Sequence, residues 1–498
     1  MSRTVWNVFS ETAATYPERV AVIDHYGTLT YQQLQMRAKQ WAGLVAKHES
    51  PGGLVGIMTE HSSDQIAAIL GIQGAGCGYI PMEPNFPRER IASMLADGRV
   101  KTVITSPDYA HLFGEHIRIL CPENISGQAP ISEMAALDDE NGIAYVLFTS
   151  GTTGTPKGVM VTQKNLLHYA RAFQQEFQLM PKDRVLQMSV VNFDIYTEEV
   201  YPALLNGSCV CVLNPELKDD VTSIVNYCDQ VGVTIISSFP YFLQALNRNN
   251  RFPKTVRVFI SGGDVLHEHY IDKILQKTPV YNTYGPTETT VCASYYRCET
   301  GSKFEGNSIP IGHPVQGSKI EILDKQLQPL GPNQIGEICI SGSGVSRGYL
   351  NRPQETAQSF IPDPTTPGQY RYLSGDMGYQ NANGEFMFVC RKDGQVMIQG
   401  RRVECLEVET VLNRCPSVIQ AAVKAFKDTQ GYPHLAAFLK LECGADLSEI
   451  KEHLGRYLLE YMMPEHYVLC DDFPMTSSGK LDRKALTLDL SAQLVSAG

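Results

Sequence analysis

The residues best suited to chemistry lie in one run, Phe148-Thr-Ser-Gly-Thr-Thr-Gly-Thr-Pro-Lys-Gly158. Its glycines, Gly151 the first of them, let a backbone approach an anion closely. Thr149, Ser150, Thr152 and Thr153 bring hydroxyl donors, and Lys157 brings a fixed positive charge. Such a loop suits a polyphosphate; the alternative is a polar turn that binds nothing. The lysine is followed by Gly158, not by Ser or Thr, which disfavours the Walker A loop of P-loop kinases and NTPases. His267-Glu-His269 lacks the spacing that sets two histidines on one helix face for zinc, so no metal is expected there.

These residues need elements to hold them. From about residue 50 to 290, short β-rich runs alternate with helical stretches. Strands are expected at 54–58, 100–104, 143–149, 184–188, 233–237 and 256–260. Helical periods fill 163–177, 197–206, 219–230 and 267–276, and an amphipathic stretch runs from 62 to about Gly76. This alternation predicts an α/β fold, with mixed parallel sheets covered by helices in a large N-terminal domain. After about 305 the runs at 335–341 and 385–390 predict antiparallel strands in a small barrel-like β region. A smaller α+β domain follows, with helices at 405–413 and 447–460 and strands at 418–426 and 434–441. The expected division is 1–392 and 393–498.

Composition narrows the class. The chain has 498 residues, more than one compact core needs, with 43% hydrophobic and 19% charged residues. A net charge of -11 disfavours binding nucleic acid through bulk electrostatics. None of the 13 cysteines forms a CxxC pair; Cys209 and Cys211 sit in a strand-like run and are expected in the core. Unpaired thiols, no apolar signal core and no apolar run long enough for a bilayer predict a cytoplasmic protein without membrane contact.

The loop at 148–158 resembles that of the ANL superfamily: acyl-CoA synthetases, luciferases and the adenylation domains of nonribosomal peptide synthetases. Other segments resemble the remaining family motifs in order. They are Leu29-Thr-Tyr-Gln-Gln-Leu34, Gly78-Tyr-Ile-Pro81, Asn282-Thr-Tyr-Gly-Pro-Thr-Glu288, Gly336-Glu-Ile-Cys-Ile-Ser-Gly342, Arg347-Gly-Tyr-Leu350, Tyr372-Leu-Ser-Gly-Asp376, Arg391-Lys-Asp-Gly-Gln395 and Ser478-Gly-Lys-Leu-Asp482. The chain departs from the family in carrying Cys390, not Gly, before Arg391.

The resemblance implies attack of a substrate carboxylate on the α-phosphorus of ATP, with pyrophosphate leaving. Lys157 and the hydroxyl loop would hold the outer phosphates, and Glu288 the Mg²⁺, a hard cation suited to oxygen ligands. Glu288 read by itself could equally be an acid at a helix start. Tyr284 would stack on adenine with Asn282 at its amino edge, and Gly285 and Thr287 belong to the same motif. Phe388 fits a second position against the nucleotide, Asp376 would accept from the ribose hydroxyls, and Arg391 lies near them. Lys480 resembles the catalytic lysine of the small domain, and Asp393 the hinge that turns that domain after adenylation.

Asp194 matches the aspartate with which amino-acid-activating members bind the substrate α-ammonium. The rest of the implied pocket is Ile195, Glu198, Ser237, Ile260, Gly262, Thr283, Val291 and Cys292. Most are small or apolar. A buried carboxylate without a partner costs about 3–5 kcal/mol, so a pocket-facing Glu198 predicts a cationic side chain such as that of lysine or ornithine. Glu198 and Glu199 could instead be first-turn acids facing the helix dipole and water, which leaves proline or a small neutral amino acid open. The chain ends soon after Lys480. The acceptor is therefore expected to be the thiol of a separate phosphopantetheinyl carrier protein, or of a segment beyond this sequence. An acyl-CoA synthetase shares the nucleotide residues but has no need of Asp194. A non-catalytic binding protein has no need of Lys157, Glu288, Asp376 and Lys480 together.

Overall fold

A computed structural model describes residues 3–125, 139–150, 156–302, 304, 309–392, 395–398, 400–428, 432–474, 481, 483, 485–488 and 494–496. The chain forms two compact units. The larger comprises Met1–Pro84, Leu95–Leu147 and Gly158–Cys390, and the smaller Asn85–Met94, Phe148–Lys157 and Arg391–Gly498.

The larger unit is α/β, as expected. One nine-stranded sheet runs His313–Pro314, Ser294–Cys298, Val280–Tyr284, Val258–Ser261, Ile235–Ser238, Arg184–Gln187, Cys209–Val212, Val20–Asp24, Gly27–Thr30. Its middle strands are parallel and its edges antiparallel. The inner strands are buried along their whole length, as parallel strands covered on both faces must be. Cys209 and Cys211 lie in this core. A six-stranded sheet contains the parallel strands Leu54–Met58, Gly78–Pro81 and Thr102–Thr105. A five-stranded sheet is built on the antiparallel strands Ser318–Leu323, Gly336–Gly342 and Tyr370–Gln380.

Two helices set up the site. Gln163–Phe177 starts at a capping box in which Thr162 and Asn165 satisfy each other's backbone N–H groups, and its face from Leu166 to Phe177 is buried at helical spacing. Asp194–Leu205 begins three residues before the expected start. Every residue from Ile195 to Leu205 is buried, so no polar face marks its first turn.

Two expectations are corrected. The helix Ser63–Gly74 is not amphipathic; it is buried except at Asp64, because packing surrounds it. The stretch 267–276 is not an α-helix but a 3-10 turn at Glu268–Tyr270 followed by turns. There the rings of His267 and His269 stack at 5.5 Å, a contact between residues two apart that an α-helix cannot make.

The smaller unit is α+β. Val418–Lys427 pairs antiparallel with Pro433–Leu441, which pairs parallel with His466–Leu469. The helix Cys405–Leu412 packs on the first of these strands, while Leu447–Gly455 stops at its glycine, short of the expected 460. Arg90 and Glu407 form a buried ion pair at 3.1 Å within this unit.

Candidate active site

The strand Val280–Tyr284 ends in Gly285 and Pro286 and turns into the 3-10 segment Thr287–Thr289. A Cβ on Gly285 would sit 2.5 Å from Cys292 Cα and 2.7 Å from Ala293 N, so only glycine lets these two stretches of chain cross. Thr290 and Val291 then take φ of 61° and 70°. For β-branched residues this is strained backbone, costing roughly 1–3 kcal/mol each. The turn buries Glu288 completely. The Tyr349 hydroxyl donates to its carboxylate at 2.8 Å, and Ser346 N–H donates to its backbone carbonyl at 2.8 Å. The neighbouring Thr287 hydroxyl donates to Asp194 Oδ2 at 2.6 Å. Burial pushes the Asp194 carboxyl up to about 6; the Thr287 hydrogen bond opposes that rise and the Glu288 charge adds to it.

Glu198 lies one turn beyond Asp194 on the same helix face. Tyr169 donates to its Oε2 and Ser237 to its Oε1. Burial pushes this carboxyl up to about 7, against both hydroxyls, with Asp194 adding to the rise. Ser237 is paired in register with Ile260, which is fully buried. A Cβ on Gly262 would lie 2.5 Å from Thr283 Oγ1, so glycine makes room for that threonine, whose hydroxyl donates to Ser261 O at 3.1 Å. Ile195 and Cys292 are buried and Val291 half-buried.

Glu199 has a different environment. It accepts from Ser189 N at 3.1 Å, Ser189 Oγ at 2.9 Å and Gln187 Nε2 at 3.1 Å, and burial pushes it up to about 8. The alternative of water-facing acids is therefore corrected at both positions. The helix has no solvent face there to receive them.

Tyr284 donates to Asp376 Oδ2 at 2.6 Å, and Tyr284 and Phe388 pack against one apolar cluster that includes Ile311 and Ile338. Asp376 is buried on the strand Tyr370–Gln380, its N–H held by Ser374 Oγ at 3.0 Å. Asn282 donates its amide N–H to Pro310 O at 2.8 Å, which orients the carboxamide and leaves its oxygen as the accepting edge. The exposed Cys390 does not interrupt the strand Phe386–Arg391.

In the smaller unit, Ser150 donates to Arg402 O at 3.0 Å and Lys157 is buried. The Thr149 hydroxyl is buried without a hydrogen-bond partner among the described residues, as suits a donor awaiting a ligand oxygen. Arg391 also belongs to this unit. Gly151, Thr152, Thr153, Asp393 and Lys480 lie outside the described residues.

The donor set fits a magnesium nucleotide. Among the described residues no group of three or more His, Cys, Asp or Glu could hold a metal. A single carboxylate such as Glu288 suits Mg²⁺, which keeps other positions for phosphate oxygens and water. Sequence reasoning missed Tyr169 and gave no role to Tyr349, although Tyr349 stands in the run Arg347–Leu350. Both are buried tyrosines, and only the carboxylates they meet distinguish them from core residues. Among the described residues no helix is long and apolar enough to cross a membrane.

A family model described as AMP-binding enzyme matches residues 9–350, and one described as AMP-binding enzyme C-terminal domain matches residues 407–480. The chain is 33% identical to zwittermicin A synthase ZmaJ of Bacillus cereus, over 98% of this chain and 95% of that protein. It is 36% identical to bacitracin synthase 2 of Bacillus licheniformis over 97% of its own length, yet spans only 18% of that relative. It spans 44% of gramicidin S synthase 1 of Brevibacillus brevis, at 32% identity. Among solved structures it is similar to holo-PA1221, an NRPS protein containing adenylation and PCP domains, with a TM-score of 0.85 and 27% identity over 98% of this chain and 85% of that one. It shares its fold with o-succinylbenzoate CoA synthetase of Bacillus subtilis, with a TM-score of 0.88 and 22% identity over 97% and 98% of the two chains.

Proposed function

Because the chain belongs to the AMP-binding enzyme family, as an AMP-forming ligase of the nonribosomal peptide synthetase type that uses ATP and Mg²⁺, we propose that it activates an amino acid bearing a second amino group, lysine or ornithine-like. One observation carries this reading. Asp194 and Glu198 are recessed acids one helical turn apart, and among the described residues their side-chain hydrogen-bond partners are hydroxyls, not cations. A substrate with two ammonium groups supplies the missing charge at both.

In this reading Asp194 receives the α-ammonium and Glu198 the side-chain ammonium, within a pocket bounded by Ile195, Ser237, Ile260, Gly262, Thr283, Val291 and Cys292. Tyr284, Asn282 and Phe388 hold adenine, Asp376 and Arg391 the ribose, and Lys157 with the hydroxyl loop the outer phosphates. Glu288 carries Mg²⁺, which supplies charge neutralisation at the phosphates. The substrate carboxylate oxygen bonds to the α-phosphorus as the bridging bond to the β-phosphate breaks, giving aminoacyl-AMP and pyrophosphate. Lys480 stabilises the negative charge that gathers in that step. A carrier phosphopantetheine thiol then displaces AMP from the acyl carbon. The division at 392/393 with Asp393 as hinge, and a carrier acting in trans, belong to the same proposal.

One observation favours a second reading. Burial pushes the doubly hydrogen-bonded Glu198 up to about 7, so its neutral form could line a pocket for proline or a small neutral amino acid. Amino-acid-dependent ATP–pyrophosphate exchange over basic, small and cyclic amino acids separates the two: basic amino acids at the top support the proposal, and inert basic amino acids overturn it. Thioester formation with CoA in place of a carrier would mark a CoA synthetase, whose fold this chain shares.

A further inference from the structure

Tyr169 sits outside every motif that points to the nucleotide or the substrate, yet its hydroxyl meets Glu198. It projects from the helix Gln163–Phe177 and is 1% exposed. Its hydroxyl takes Glu198 Oε2 while Ser237, from the strand Ile235–Ser238, takes Oε1, so each carboxylate oxygen has its own donor. Cys292 and Tyr295 are buried near enough to feel this carboxylate's charge, and Asp194 stands one turn away on the same helix. Burial, with Glu198 adding to it, holds the Cys292 thiol and the Tyr295 hydroxyl well above their ordinary values, and burial with the Glu198 charge does the same to Tyr169. The thiol and the two phenols therefore stay protonated, which leaves Asp194 and Glu198 as the groups in the cluster that change charge, Asp194 at lower pH than Glu198.

Resting on the diamino-acid reading above, we propose that Tyr169 is a positioning residue for substrate selection, which together with Ser237 clamps Glu198 as the anion that receives the substrate's second ammonium. Hydrogen bonds donated to a carboxylate favour its charged form. Burial works the other way, so the two hydroxyls decide how much anion the pocket holds near neutrality. Losing one leaves Glu198 protonated to higher pH, and a cationic side chain must then displace that proton to bind.

The test is the pH dependence of KM for lysine and ornithine in ATP–pyrophosphate exchange, with calorimetry in two buffers to count protons released on binding. In the wild type, KM rises as pH falls below about 7. Tyr169→Phe moves that rise to higher pH, raises KM near neutrality at least about tenfold, and releases more protons on binding, while KM converges on the wild-type value at alkaline pH. A packing defect would instead raise KM equally at every pH. Ser237→Ala shifts the profile in the same direction and serves if Tyr169→Phe fails to fold. A basic-selective wild type whose profile stays put in the folded variants overturns the clamp and leaves the substrate reading standing. A wild type that rejects basic amino acids overturns both.

Discussion

Thr287 donates its hydroxyl hydrogen to Asp194 at 2.6 Å, while Glu288, the next residue, accepts from Tyr349 at 2.8 Å. One short turn therefore ties the acid proposed for the substrate amine to the acid proposed for Mg²⁺. Thr287→Val removes a hydrogen bond to a charged group, worth about 1.5–3 kcal/mol. The amino-acid KM in the exchange reaction is expected to rise about tenfold or more, and the ATP KM to change far less. Equal changes in both would mean that Thr287 serves the nucleotide instead.

Three recessed acids on one helix make the unliganded protein sensitive to pH. Asp194, Glu198 and Glu199 are pushed up to about 6, 7 and 8. At these three groups the folded state then binds more protons than the unfolded chain, so the stability they contribute is fullest below the ordinary carboxylate range and is lost as pH rises toward about 8. Glu199→Gln cannot ionise and keeps a side chain that accepts from Ser189. Urea unfolding at about pH 5 and about pH 8 should show the wild type losing at least about 1 kcal/mol more than this variant. A parallel fall in both would remove Glu199 from the effect.

Lys480→Ala is expected to lower amino-acid-dependent exchange by about a hundredfold or more, the scale of losing one oriented charge from a transition state. Nucleotide binding, followed by fluorescent-ATP titration, should persist. Exchange at the wild-type rate would take Lys480 out of the chemistry.

Much of this arrangement is legible in the sequence, for physical reasons that also explain the failures. The strand Ile143–Thr149 and the helix Gln163–Phe177 fall at their expected bounds, because one is a continuous apolar run and the other has a clean polar face. The start of Asp194–Leu205 is not legible, because a helix buried all round has no periodicity to read. The same burial makes Glu198 and Glu199 look like surface acids until their hydroxyl partners are known. Tyr169 carries no signal of its own, and Tyr349 stands in the run Arg347–Leu350 without a legible role, since their carboxylate partners lie 29 and 61 residues away in the chain. The stretch 267–276 has helical spacing but is held by ring contacts among His267, His269 and Tyr270 instead.

The most direct measurement compares lysine with two analogues that each lack one ammonium group, norleucine and 6-aminohexanoate, in ATP–pyrophosphate exchange. Recognition by two acids predicts that both analogues lose at least about a hundredfold in kcat/KM, with Glu198→Gln narrowing the gap to norleucine and leaving the gap to 6-aminohexanoate. Norleucine turning over as well as lysine would contradict the account at its centre.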